Sequence, residues 1–189
     1  MSSPLAHALV GATLYAGLAP EGRPVVAWRP WAVAAFAGVA ADLDFLPGLL
    51  IGDPSRYHHW ATHSLVALLA FVAVVAPLAP AALGSLPRRA AILGAAYGSH
   101  LVLDLLTVHR RVPGIPLLWP FSSEVFISPV LLFPRIDHGA SWDAFLNWHN
   151  VMAVLFEAVL VGTPTLVFCA LRVLRADRSP RLALEPRRS

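Results

Sequence analysis

Residues 90–108 read AAILGAAYGSHLVLDLLTV. The run is apolar enough to be a membrane helix, yet it carries His100 and Asp104 four residues apart. On a helix that spacing puts both side chains on one face, with their Cβ atoms about 6 Å apart. A lone carboxylate at membrane depth costs roughly 2.5–3.5 kcal/mol on insertion scales. The pattern recurs: His7, Asp42, Asp44 and His63 lie inside or at the ends of other apolar runs, and His58 just outside one. The chain contains no lysine, and no arginine sits within the runs that hold these residues. The natural counter-charge is a bound cation, and histidine with aspartate is a ligand set that zinc and similar metals accept. The sequence therefore predicts a metal site inside a small membrane protein.

Composition supports the membrane half of that reading. Of the 189 residues, 57% are hydrophobic and 13% charged, and the mean hydropathy is +0.65. This length makes one domain the default, and the long apolar runs exclude an ordinary soluble chain. The single Cys169 excludes an intrachain disulfide and a cysteine metal motif. A pI near 9.7 would suggest nucleic acid in a soluble protein. Here the arginines fall between apolar runs, where topology explains them, and no nucleic-acid partner is expected. Leu5–Leu18 has the length of a signal-peptide core. No basic residue precedes it and His7 interrupts it, so the segment is expected to be retained.

Working outward from residues 90–108, four more apolar segments are drawn at Leu5–Ala19, Trp31–Leu46, Ser64–Leu86 and Val151–Leu174. The expected fold is all-α: a small polytopic membrane helix bundle with an interfacial loop. Residues 1–174 form one membrane-embedded domain, and residues 175–189 a basic, disordered tail. The third and fifth segments are long enough to span alone, although Pro77 and Pro80 are expected to kink or end the third. Ten arginines lie on one face: Arg23, Arg29, Arg88, Arg89 and the six from Arg172 to Arg188. Four lie on the other: Arg56, Arg110, Arg111 and Arg135. The positive-inside rule then predicts a plasma (inner) membrane protein with its N-terminus outside and its C-terminus cytoplasmic. In that topology every candidate ligand falls in the outer half, with His100 roughly 12 Å below Val108. Residues 109–150, rich in proline and aromatics, form a long outer connection, read either as a lid or as a plain interfacial loop.

Individual motifs carry the chemistry. Asp42 and Asp44 diverge if their segment is still α-helical there, and both turn inward if the helix ends, as Pro47-Gly48 suggests. His58-His59-Trp60-Ala61-Thr62-His63-Ser64 is the densest cluster. His63 opens the third segment as a ligand, with Thr62 or Ser64 as its cap. His59 is read as a surface residue, and His109, His138 and His149 receive no role. Glu157, at the depth of His100, is a ligand or a partner of one.

Taken together these residues resemble a known family. An early His is followed by Ala-Asp-Leu-Asp, then His58 with Thr62-His63-Ser64, then Gly98-Ser99-His100 with Asp104 and Thr107. The pattern, over Leu5 to about Phe121, is similar to the bacterial and archaeal YdjM-like family of LexA-regulated, membrane-bound, metal-dependent hydrolases. Where that family shows Arg-Gly after the first His of its His-Arg-Gly-x-Thr-His-Ser motif, this chain has His59-Trp60. The resemblance implies that His7 is a ligand. A further relation, to zinc-dependent phospholipase C and P1-type nucleases, implies a multi-zinc site that cleaves phosphoesters.

The expected activity is thus a hydrolase with two or three zinc-like ions, held by His7, Asp42, Asp44, His58, His63, His100, Asp104 and Glu157. Asp44 or Asp42 would act as general base. Arg56, Arg110 and Arg111 would hold the anionic head group of a phospholipid or lipid-linked phosphate. The same residues also fit a metal or proton transporter, which needs a polar path to the far side. A non-catalytic membrane partner, whose acids and histidines only bond one another, is the third reading.

Overall fold

The computed structural model describes residues 2–19, 27–52, 56–107, 114–136 and 147–182. Its helices are α1 (Pro4–Leu18), α2 (Trp28–Val39), α3 (Phe45–Leu50), α4 (Leu65–Leu78), α5 (Leu86–Leu105) and α6 (Trp148–Leu182). Among the described residues there is no strand, only two isolated bridges, Thr107 with Phe133 and Ile115 with Phe126. The chain is an all-α bundle. α1 packs on α2, α5 and α6, α2 packs on α5, and α4 packs on α5.

Local chemistry sets the helix ends. Ser3 caps α1 by accepting from the Ala6 N–H, and Pro4 fills the first helical position. Ser64, rather than Thr62, caps α4, accepting from the Ala67 N–H at 3.1 Å. The third apolar segment proves shorter than its hydropathy suggests. Pro77 sits in the last turn of α4, and Pro80 opens a 3₁₀ turn at Ala81–Leu83. With no proline N–H to extend the ladder, the helix stops at Leu78 and cannot span alone. Arg89 then satisfies freed carbonyls, donating to Gly84 O and Ala79 O, each at 2.9 Å.

The helical runs long and apolar enough to cross a membrane are Trp28–Gly48 and Trp148–Leu171. The second segment thus starts at Trp28 and reaches spanning length, with Arg29 and Pro30 in its first turn. α6 continues past Leu174, where the sequence places the start of the tail. Side chains that face outward on α4 and α6 are large and apolar, among them Leu69, Leu78, Val159 and Leu166, each more than 60% exposed. Such a surface suits lipid and not water.

α1 and α2 meet backbone to backbone. A Cβ on Gly11 would lie 2.4 Å from Ala34 O, and one on Gly38 only 2.3 Å from His7 O. Small residues at Gly11, Ala34 and Gly38 permit this approach, as in other membrane helix pairs. At one end of the bundle Tyr15, Ala34, Ala37, Leu83, Ile92 and Leu93 form an apolar core. At the other end a smaller cluster joins Ala40, Ala41, Tyr97 and Leu101 to Ile115 of the long loop. The loop is also tied down by Leu65 N–H donating to Leu117 O at 2.9 Å.

Candidate metal centre

The antiparallel path of the chain gathers its polar residues at one end of the bundle. His7 lies near the start of α1, and His63 immediately before α4. Asp42 and Asp44 follow α2, and His100 and Asp104 end α5. The α2 helix tightens into a 3₁₀ turn over Ala40–Asp44. This change of winding, ahead of Pro47-Gly48, lets both carboxylates face the same site.

Asp44 accepts from Thr62 Oγ1 at 2.8 Å and pairs with His58 Nδ1 at 2.9 Å and His63 Nδ1 at 3.2 Å. Asp42 Oδ1 lies 3.4 Å from His100 Nε2 and 3.7 Å from His63 Nε2. Asp104 is fully buried. Its Oδ2 is 3.2 Å from His100 Nε2, 3.3 Å from His63 Nε2 and 3.5 Å from His59 Nε2, and its Oδ1 is 3.5 Å from His7 Nε2. The His7 and His100 rings stack, with centroids 3.7 Å apart.

Ring tautomers follow from these partners. His100 Nδ1 lies 2.8 Å from Gly38 O. A carbonyl only accepts, so the proton is on Nδ1 and the lone pair on Nε2. Thr62 gives its hydroxyl proton to Asp44, and His63 Nδ1 faces the same carboxylate, so His63 also turns a lone pair inward. The two Nε2 atoms are 3.2 Å apart. Two imidazole lone pairs and the carboxylates of Asp42 and Asp104 thus converge on one buried point. Such an arrangement requires a cation, either a proton or a metal. His63 responds as expected: burial lowers its pKa, but the carboxylates of Asp104, Asp42 and Asp44 around it outweigh burial and hold it well above the ordinary value. Burial pushes His58 down to about 4 against the opposing bond to Asp44, which leaves the neutral, metal-binding form at pH 7. His59 is likewise lowered by burial, opposed by Asp104.

The donor set fits a divalent metal. Asp42 buries both carboxylate oxygens without a hydrogen bond, and His7 Nδ1 is in the same state. One atom from each of His7, Asp42 and His100 lies within 4.8 Å of the others, and the same holds for His63, His100 and Asp104, and for Asp42, Asp44 and His58.

The other sequence-predicted residues are placed differently. Glu157 is fully buried, and both its oxygens accept from the Ser3 N–H, at 2.9 and 3.2 Å. Ser2 Oγ in turn lies 2.9 Å from His7 Nε2. Glu157 therefore reaches the centre through the N-terminal segment. Arg56 is exposed, its guanidinium 5.9 Å from the centroid of the Tyr57 ring. Arg110 and Arg111 lie outside the described residues. His59, read as a surface residue, is 7% exposed and faces Asp104. Its only sequence signal was adjacency to His58.

No curated protein and no solved structure matches the chain. The family of YdjM inner membrane proteins matches it over residues 1–175, nearly its whole length. With its apolar spans and outward-facing apolar side chains, the chain belongs to the YdjM inner membrane protein family.

Proposed function

We propose that this chain is a metal-dependent hydrolase of the inner membrane, acting on a phosphoester of a lipid or lipid-linked substrate. The observation that carries the reading is the convergence of His63 Nε2, His100 Nε2, Asp42 and Asp104 at one buried point, with both Asp42 oxygens unbonded. His7, Asp42, His58, His63, His100 and Asp104 would hold two or three zinc-like ions. Such ions, when bound, supply Lewis acidity and a water acidified toward neutral pH.

The remaining steps belong to the chain. Asp44 already takes three hydrogen-bonding partners, whereas both Asp42 oxygens are unbonded, so Asp42 can spare one oxygen as general base beside its ligand role. Asp44 orients His58 and His63 through their Nδ1 atoms, a role that second-shell carboxylates commonly fill. Glu157 fixes the N-terminal segment and so positions His7. Arg56, Arg110 and Arg111 would bind the phosphate in the bidentate manner open to guanidinium. The loop packs Ile115 onto Ala40 and Leu101 at that end of the bundle. With ten arginines on one face, the N-terminus and the site lie outside and the C-terminus lies in the cytoplasm.

The transporter reading is the weaker one. Beyond the site, among the described residues, the bundle is filled by Tyr15, Ala34, Ala37, Leu83, Ile92 and Leu93, and this core gives an ion no polar path. Purified protein loaded with zinc in detergent is expected to cleave a phospholipid or a chromogenic phosphodiester, with the Asp104→Ala variant inactive. A fully metallated protein that cleaves no phosphoester across a broad panel would reject the hydrolase reading.

A further inference from the structure

His59 has an unusual backbone and an unusual direction. Its φ is +62°, the one left-handed non-glycine conformation among the described residues. A side chain holds that region at a cost and persists there when its surroundings impose it. The neighbouring aromatics point outward, Trp60 at 61% exposure and Tyr57 at 43%, while the histidine between them is buried. The turn sets the His59 ring 4.2 Å from that of His58 and 4.7 Å from that of His63, centroid to centroid.

We propose that His58, His59 and His63 form a second divalent-cation position, distinct from the one at His7, Asp42 and His100, with His59 as a ligand. The inference rests on the metal-dependent reading above and assigns residues to its second ion. One ring nitrogen from each of the three histidines lies within 4.8 Å of the others. Three imidazoles with an open fourth position are a donor set that catalytic zinc accepts. Asp44 pairs with His58 Nδ1 at 2.9 Å and His63 Nδ1 at 3.2 Å, the outer contacts that orient ligating histidines. Asp104 joins the two positions. Its Oδ1 faces His7 at 3.5 Å, and its Oδ2 faces His59 at 3.5 Å and His63 at 3.3 Å. Oδ2 also lies 3.2 Å from His100 Nε2, so this one carboxylate sits between the two positions.

The test is a metal count on the full chain in detergent, loaded with zinc and dialysed, with cobalt substitution to read coordination from the visible spectrum. Glycine adopts φ +62° without strain, so His59→Gly removes the imidazole and favours the same turn. His59→Asn, which also tolerates this region, is the second variant in case the first does not fold. Wild type is expected to hold two equivalents. Each His59 variant is expected to hold one, with unchanged helical circular dichroism and loss of one cobalt species. His7→Ala is expected to lose the other equivalent and the other species. Two equivalents retained in the folded His59 variants would overturn the second position and leave His59 as a hydrogen-bonding partner of Asp104. A wild-type protein that holds no divalent ion would overturn both this inference and the metal-dependent reading. Hydrolysis is not part of the readout, so a wrong substrate class leaves the result intact.

Discussion

His100 shows how single residues make the site. Its Nδ1–H is tied to Gly38 O, so the ring has one orientation and presents one lone pair to the carboxylates. His100→Ala and Asp104→Ala are expected to lose bound metal and phosphoester hydrolysis together while the helical spectrum is kept, because alanine is readily buried in an apolar bundle. A variant that loses metal but keeps full turnover would contradict the assignment. Thr62 acts one layer out, through its bond to Asp44. Thr62→Val should weaken metal affinity about 10–100-fold, the usual effect of an outer-contact change, measurable by competition with a chromophoric chelator. The clustering of His7, Asp42, His63, His100 and Asp104 was legible in the sequence because charge without a partner is costly in an apolar run. His59 and Thr62 were not, since their direction depends on a φ angle and a hydroxyl contact that spacing does not encode.

Between elements, the α1–α2 contact sets the precision of the site. Gly38 accepts the His100 proton and also leaves room for the His7 carbonyl, so a methyl group there meets backbone on the opposing helix at 2.3 Å. Gly38→Ala is expected to destabilise the bundle by about 1–3 kcal/mol, as overpacking does, and to reduce metal affinity as His7 and His100 separate. Thermal unfolding in detergent with metal titration checks both effects, and a fully stable variant with wild-type affinity would refute the account of this contact. Glu157→Ala should leave the buried Ser3 N–H without its acceptor, at a cost of roughly 1–3 kcal/mol, in the same unfolding assay. The stop of α4 at Leu78 was legible from Pro77 and Pro80. The inward turn of Asp42 and Asp44 was only one of two open readings, because the winding changes at Ala40, well before the Pro47-Gly48 pair that the sequence offers as the breaker, and helix resumes across that pair at Phe45–Leu50.

For the whole molecule, the apolar exterior and the one-ended polar cluster place the bundle in the membrane with a single chemical face. The arginine split predicts that a C-terminal reporter is active only in the cytoplasm. A reporter active only outside would invert the topology and move the site to the cytoplasmic face. The membrane class and the helical architecture were legible because hydropathy and length decide them directly. The fold of the loop onto the site was not, since its contacts join residues far apart in sequence, such as Leu65 with Leu117. The central claim is that the buried histidines and aspartates form a metal centre that stabilises the bundle. Elemental analysis of the purified protein, paired with thermal unfolding with and without chelator, tests it most directly. The account predicts two or more equivalents of divalent metal per chain. It also predicts a lower melting temperature after chelation, since a ligand held at one hundred times its Kd adds about 2.7 kcal/mol to the folded state. No stoichiometric metal, together with a melting curve indifferent to chelator, would contradict it.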